Sequence, residues 1–322
     1  LAYVTASTRS SARVVIDRCP RARATRDDGD TANERIVPPA VVTRRRDDIE
    51  TMTTTDDDVF VAFERWAEER GVRFARDACV VKRDEHRGAW IEGARDGGRG
   101  EILLEVPKSA CLSTTTSALG DGGEGRRRER LREMGVVGLV ACVARERALG
   151  EKSAFAAYAA TLPWEAKARG DGEDAREVRA LSRGTTVEVM METDEEMLMS
   201  DHESVVEFYA NEIGEEGAAA VVASRAFFID EDAGQGLVPY ADLFNHRGSG
   251  GAHVVVRGCD SEKEEELRLE CARAISRGEE VFNSFGDDHD NSLLFYKYGF
   301  VERDNSVRVS RFGAPRVFEL ER

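Results

Sequence analysis

The residues best equipped for chemistry lie close together between Gly236 and Asn305. One segment, Leu237-Val-Pro-Tyr-Ala-Asp-Leu-Phe-Asn-His246, ends on an amide beside an imidazole. Another, Val281-Phe-Asn-Ser-Phe-Gly286, leads on to Tyr298-Gly-Phe-Val301. Asp242 is a turn-former, the Asn245 amide can bond backbone or ligand, and Tyr298 brings a hydroxyl beside Gly299, where another backbone can come close to the ring. Pro239, Gly286 and Gly299 stand among aromatics, the composition of a backbone bent around a small molecule rather than of a plain core element. Taken singly, each segment is explained equally well by a satisfied turn or by core filling. Their appearance together points to a site.

Other constellations are weaker. Gly120, Gly122 and Gly125 satisfy the spacing of a dinucleotide-binding loop, but the preceding Ser113-Thr-Thr-Thr-Ser117 is a poor buried strand and no strand-ending acid follows at the right distance, so a surface loop is expected. Asp287-Asp-His-Asp-Asn291 lacks the glycine and closing glutamate of a calcium loop and reads as the acidic start of a helix; no metal is expected. The run Glu262 to Glu266 has nothing apolar beside it to raise a carboxylate pKa and reads as a solvated hairpin tip. His202 and His253 have no nucleophile partner in a recognisable motif and read as structural.

The elements that must position the two segments form an α+β pattern. Phe60, Phe63 and Ala67 fall at helical spacing after Asp56-Asp-Asp58, and Gly71 closes that helix. Short strands are predicted at Cys79–Lys82, Ala89–Ile91 and Ile102–Val106, the last ended by Pro107. A helical block follows, at Arg126–Met134, Val136–Leu149, Ala154–Ala160, Asp174–Ser182, Asp194–Met199, Glu203–Ile213 and Glu215–Arg225. Strands resume at Ala226–Ile229, His253–Arg257, Leu267–Arg273 and Glu280–Asn283, with a Ser276-Arg-Gly278 turn joining the last two. The glycines at 248, 250 and 251 read as a mobile loop.

The 322 residues, 41% of them hydrophobic, suffice for a core. A net charge of -16 disfavours nucleic acid and anionic membranes and favours basic partners. Six scattered cysteines without a Cys-x-x-Cys pair argue against a disulfide scaffold or zinc ribbon. The first 26 residues hold six arginines and only Asp17 as an acid, the bias of an organelle transit peptide, which would place the protein in a chloroplast. The other reading takes Met52 as the true start and leaves cytoplasm or nucleus. Either way residues 1–55 are expected to have no fold of their own.

In order along the chain, the two late segments resemble the paired signatures of SET-domain methyltransferases, specifically the subgroup of the Rubisco large-subunit lysine methyltransferase. Gly88 to Pro107, Tyr158-Ala-Ala-Thr-Leu-Pro163, Leu181-Ser-Arg-Gly-Thr185 and Ser224-Arg-Ala-Phe227 are similar to further landmarks of that family, so the resemblance runs from about Phe60 to Val309. It implies a β-rich SET domain over 56–311, with its core at 72–115 and 226–311, a helical insert at 116–225, and a knot-like crossing of the two late segments. The family's helical substrate-binding lobe would not follow the 312–322 tail.

The resemblance further implies S-adenosylmethionine as cofactor and a protein lysine as methyl acceptor; the acidic net charge favours a basic substrate protein, and a monomer is expected. The resemblance assigns Gly88 and Ala89 to backbone contacts with the cofactor, Arg225 to its carboxylate, and Asn245 and His246 to its adenine and amino-acid ends. Tyr298 becomes the catalytic tyrosine, Asp242 and Phe285 shape the lysine pocket, and Phe282 could add an aromatic wall. Phe285 stands where the family has a pocket tyrosine. Histidine methylation and a catalytically inactive SET-like binding module are the alternatives this resemblance leaves open.

Overall fold

The computed structural model describes residues 56–84, 88–121, 125–164, 180, 182–191, 218–248, 250–258 and 265–307. Residues 1–55 and 308–322, His202, most of the hairpin tip expected at 262–266 and most of the helices expected between 174 and 213 lie outside these residues. The helices are α1 (Asp56–Glu69), α2 (Arg126–Glu133), α3 (Val136–Leu149), α4 (Ala156–Ala159), α5 (Ala218–Arg225) and α6 (Asn291–Tyr298), with a further helical run at 186–191. The strands are β1 (Arg73–Phe74), β2 (Cys79–Asp84), β3 (Gly88–Gly93), β4 (Ile102–Pro107), β5 (Leu112–Ser113), β6 (Ala226–Asp230), β7 (Gly234–Leu237), β8 (Val254–Arg257) and β9 (Glu266–Cys271).

These strands make three small antiparallel sheets, ordered β1-β4-β9-β8, β2-β3 and β5-β7-β6. In β9 alternate residues are buried, so Leu267, Leu269 and Cys271 enter the core while the residues between them stay at the surface. On α1, Phe63 and Ala67 lie one turn apart and both are buried; the Phe63 ring stacks toward Tyr158 and Tyr240, the latter at a centroid distance of 4.7 Å. Tyr240 has φ 64°, an uncommon conformation for a residue with a side chain, in the residue just before the turn that carries Asp242. Its packing between Phe63 and Phe74 offsets that strain, which costs roughly 1–3 kcal/mol. The apolar core thereby fixes the backbone entering the candidate site.

The expected insert shares that core. Leu139 and Val143 of α3, Tyr158 of α4 and Val221 and Val222 of α5 are buried in the same cluster as the strands. At the α2–α3 junction Gly138 lets the helices close up, since a Cβ there would come within 2.0 Å of the Leu131 carbonyl oxygen. Glu146 of α3 is buried, but its carboxylate accepts from Ser117 Oγ at 2.8 Å, the Ala118 amide at 2.7 Å and Ser153 Oγ at 2.5 Å, which satisfies it.

Several expectations need correcting. Residues 280–283 do not pair with the strand before the Ser276–Gly278 turn. That strand, β9, is already flanked by β4 and β8, so 280–283 make single bridges from Glu280 to Glu92 and from Asn283 to His246. Gly120 is buried rather than on a surface loop, under the Arg128 side chain, which an added Cβ would meet at 2.6 Å. Gly248 is also buried, and its amide donates to the Glu302 carboxylate at 3.2 Å, so that part of the expected mobile loop is tied down. The strands β1, β5 and β7 were not foreseen, because two-residue strands and the glycine-rich Gly234-Gln-Gly-Leu237 carry no alternating pattern.

Candidate active site

The two late segments meet through backbone pairing. Asn283 donates its amide to the Asn245 carbonyl at 2.8 Å, and Arg247 donates to the Asn283 carbonyl at 2.9 Å, a parallel bridge between His246 and Asn283. This bridge uses the carbonyl before His246 and the amide after it rather than its own. The His246 ring is buried, and its Nδ1 accepts the Phe285 amide at 3.0 Å. An accepting Nδ1 requires the neutral tautomer with hydrogen on Nε2, and burial favours that form by holding the pKa below its usual 6.5.

Around this bond the rings gather. Phe285 lies 5.2 Å from His246 and 4.7 Å from Tyr298 between centroids, and Phe300 lies 5.9 Å from His246 and 6.3 Å from Tyr298. Tyr298 is delivered by α6, whose start is capped by Asp290 accepting from the Leu293 amide at 2.9 Å and whose end is set by Gly299 at φ 90°. The acidic helix start expected at 287–291 is thus present. Lys297 places Nζ 5.1 Å over the Tyr298 ring, and burial lowers its pKa.

A second group forms at the end of α5. Arg225 donates from Nη1 to the Asp242 carbonyl at 2.7 Å and lies 3.7 Å from Asp242 Oδ2, to which Tyr158 donates its hydroxyl at 3.1 Å. The Asp242 side chain is only 3% exposed; burial raises its pKa, against the pull of Arg225 and the Tyr158 hydrogen bond. Arg225 Nε and Asp242 Oδ1 are buried without a hydrogen-bond partner, an arrangement that costs free energy unless a ligand supplies one.

Gly88 and Ala89 begin β3, paired with Asp84 and Arg83; Gly88 is exposed at φ 73°. Further along, β3 runs antiparallel to residues 279–281, with Gly93 donating to Glu279 and Val281 donating to Ile91, each at 2.8 Å. Asn245 reaches the same stretch, its Nδ2 donating to Glu280 Oε1 at 2.7 Å. Asn245, His246, Phe285 and Tyr298 are therefore brought into one place, and β3 borders it. The two residues assigned to the lysine pocket fall in different groups: Phe285 touches His246 and Tyr298, while Asp242 engages Arg225 and Tyr158.

Phe282 is not a wall of this cluster. Its ring stacks on His253 at 5.8 Å beneath the Arg247 guanidinium at 4.5 Å, because residues three apart in an extended segment, as Phe282 and Phe285 are, face opposite ways. His253 is the structural residue expected: buried, accepting the Phe282 amide at Nδ1 at 3.0 Å with Nε2 3.0 Å from Glu279. Sequence reasoning gave no site role to Tyr158, Glu280, Phe300 or Glu302. Tyr158 is 84 residues from Asp242, and no local pattern announces such a contact. Among the described residues no group of three His, Cys, Asp or Glu side chains is placed to hold a metal ion.

No family model matches the chain. Over 269 residues, 77% of this chain and 55% of the relative, it is 26% identical to the N-lysine methyltransferase SETD6 of Rattus norvegicus. Over 78 residues, 23% of this chain and 17% of the relative, it is 38% identical to SET domain-containing protein 4 of Homo sapiens. Among solved structures, the SET domain of LSMT bound to lysine and AdoHcy matches with a TM-score of 0.62 at 22% identity, covering 77% of this chain and 58% of that one. Rubisco LSMT bound to AdoMet matches with a TM-score of 0.60 at 21% identity, covering 76% and 57%. The chain spans little more than half the length of these relatives. Its strands and helices give the chain the fold of the LSMT SET domain, and its sequence is similar to that of SETD6 over most of its length.

Proposed function

We propose that this domain transfers methyl groups from S-adenosylmethionine to the side-chain amine of a lysine in a protein substrate. The observation that carries the reading is the convergence of His246, Phe285 and Tyr298 on one bridge, with the incompletely satisfied Arg225–Asp242 pair joining the end of α5 to the turn just before it. The rat relative is named as an N-lysine methyltransferase, and the LSMT structures hold AdoMet or AdoHcy and, in one case, lysine. These names agree with it.

The residues present suit the cofactor. Arg225 Nε is a buried donor without a partner, the group a carboxylate would take, and Asn245, whose Nδ2 donates to Glu280, and the backbone of His246 follow Asp242 by three and four residues. Gly88 and Ala89 would approach the same ligand by backbone. When bound, S-adenosylmethionine supplies a methyl group activated on a sulfonium, so the protein's part is positioning and electrostatics.

The lysine amine has to be neutral to react. With a pKa of ~10.4, deprotonating it at about pH 8 costs roughly 3 kcal/mol, and an aromatic channel lowers that cost by disfavouring the ammonium. Phe285 and Tyr298, with Phe300 behind them, supply the rings. The Tyr298 hydroxyl orients the amine lone pair, and ring faces favour the cationic methyl group as it moves. His246 remains neutral and holds the Phe285 backbone; it is not asked to take a proton. With a net charge of -16, the protein suits a basic substrate.

Titration calorimetry with S-adenosylmethionine tests the reading first. Saturable binding with a rise in melting temperature is expected, and activity should survive EDTA. Absence of binding would leave a SET-like binding module instead. Amino-acid analysis of a methylated product separates lysine from histidine as acceptor.

A further inference from the structure

A groove of about 540 Å³ lies outside the ring cluster, between the α2–α3 junction and the β6–β7 turn. Its walls carry Glu129 and Glu133 on α2, Glu231 and Asp232 in the turn, and the ring of Phe228, which is 57% exposed. Arg132 is the cation among the lining residues, held 3.1 Å from Asp232, so carboxylates outnumber it four to one. Thr114 also lines the groove. It is 3% exposed, and its Oγ1 has no hydrogen-bond partner within the protein.

An exposed aromatic face between carboxylates suits a peptide with a long cationic side chain, whose aliphatic stem packs on the ring while its charge meets the acids. An unpartnered hydroxyl in the same wall offers a place for a backbone amide or carbonyl. The groove is also well situated for the proposed reaction. Phe228 lies on β6, which starts directly after Arg225 at the end of α5, so the two are at most roughly 10 Å apart along the chain and one bound polypeptide could span both places.

We propose that this groove docks a basic segment of the substrate protein, holding it while a lysine elsewhere in that protein enters the site. The proposal rests on the methyltransferase reading for its biological sense, but its binding step can be measured separately. The occupant is an arginine- or lysine-rich polypeptide.

The test uses the full chain and a fluorescent decapeptide of alternating arginine and serine, which lacks the reactive amine of lysine. Anisotropy should report saturable binding that weakens with added salt. Glu133→Lys with Glu231→Lys should weaken it by roughly tenfold or more, and Phe228→Ser by several-fold. Thr114→Val, nearly isosteric, should weaken it without lowering the melting temperature. Glu69→Lys with Glu151→Lys makes the same change in net charge elsewhere and should leave affinity within about twofold. If the groove reversal and this distant reversal have equal effects, the peptide is sensing only net charge and the proposal falls. It falls equally if the reversed variant, shown to be folded by its melting transition, binds as tightly as the parent. S-adenosylmethionine titrated into the same variants keeps the two ideas apart. Cofactor binding without groove-dependent peptide binding overturns the docking site alone, and groove-dependent binding without cofactor binding overturns the methyltransferase reading alone.

Discussion

His246 Nδ1 accepts the backbone amide of Phe285 at 3.0 Å, and His253 Nδ1 accepts that of Phe282 at the same distance. Two buried imidazoles thus hold one four-residue stretch from opposite sides. Both bonds need the neutral ring, and burial lowers both pKa values from 6.5. The stretch that presents Phe285 to Tyr298 is therefore sensitive to acid.

Because each histidine titrates near 6.5 when unfolded and lower when folded, the unfolded chain binds more protons below that pH. Above about pH 6.5 both states are neutral and the pair contributes no pH dependence; stability is lost as pH falls from there through the folded values. Melting temperatures from pH 8 to 5 should show this decline. His253→Gln, which keeps an acceptor without a proton to gain, should flatten it, and an unchanged slope would place the acid sensitivity elsewhere.

Tyr298→Phe should lower kcat by about a hundredfold while sparing cofactor affinity, since it removes one hydroxyl and little packing. Calorimetry and single-turnover rates on the same preparation check both halves. A near-normal rate would make Tyr298 a packing residue.

Arg225→Gln should weaken S-adenosylmethionine binding by roughly tenfold or more, because it removes the charged donor offered to the carboxylate. It should also lower the melting temperature only modestly. Asp242 loses its ion pair, but burial already pushes its pKa up, so the carboxyl can take a proton instead of remaining a buried charge. A variant with unchanged cofactor affinity would reduce the Arg225–Asp242 pair to a structural contact.

Phe285→Tyr should shift products toward monomethyl-lysine without preventing the first transfer. The ring lies 4.7 Å from Tyr298, and a hydroxyl added there would hold the amine or a water and obstruct a methylated lysine turning into line. One hydrogen bond is worth ~1 kcal/mol net and steric exclusion a few kcal/mol more, enough to separate product states about tenfold. Mass spectrometry of a methylated substrate over time decides it; identical distributions would remove Phe285 from the channel.

The sequence by itself determined those parts of the molecule whose physics is local. α3 begins and ends at Val136 and Leu149 as its glycine borders predict, and α1 buries the Phe63 and Ala67 that its spacing picks out. The start of α6 follows from Asp290 and its end from Gly299, so Tyr298 was bound to sit at a helix terminus. The motif pairing around Asn245, His246 and Tyr298 was legible for another reason, through its resemblance to the paired signatures of SET-domain methyltransferases. What only the tertiary structure decided is which long-range partners each of these acquires. Residues 280–283 read as a hairpin strand, yet β9 has both its edges taken, so their hydrogen bonds go to β3 and to Asn245 and Arg247. Phe282 and Phe285 are equally aromatic in sequence, but the strand-like alternation from Asn283 sends one to His253 and the other to Tyr298. Nothing local to Asp242 announces that it meets Arg225 and Tyr158, from helices 17 and 84 residues before it. A contact across such separations depends on how every intervening element packs, and that information is spread over the whole core instead of residing in the residues that touch.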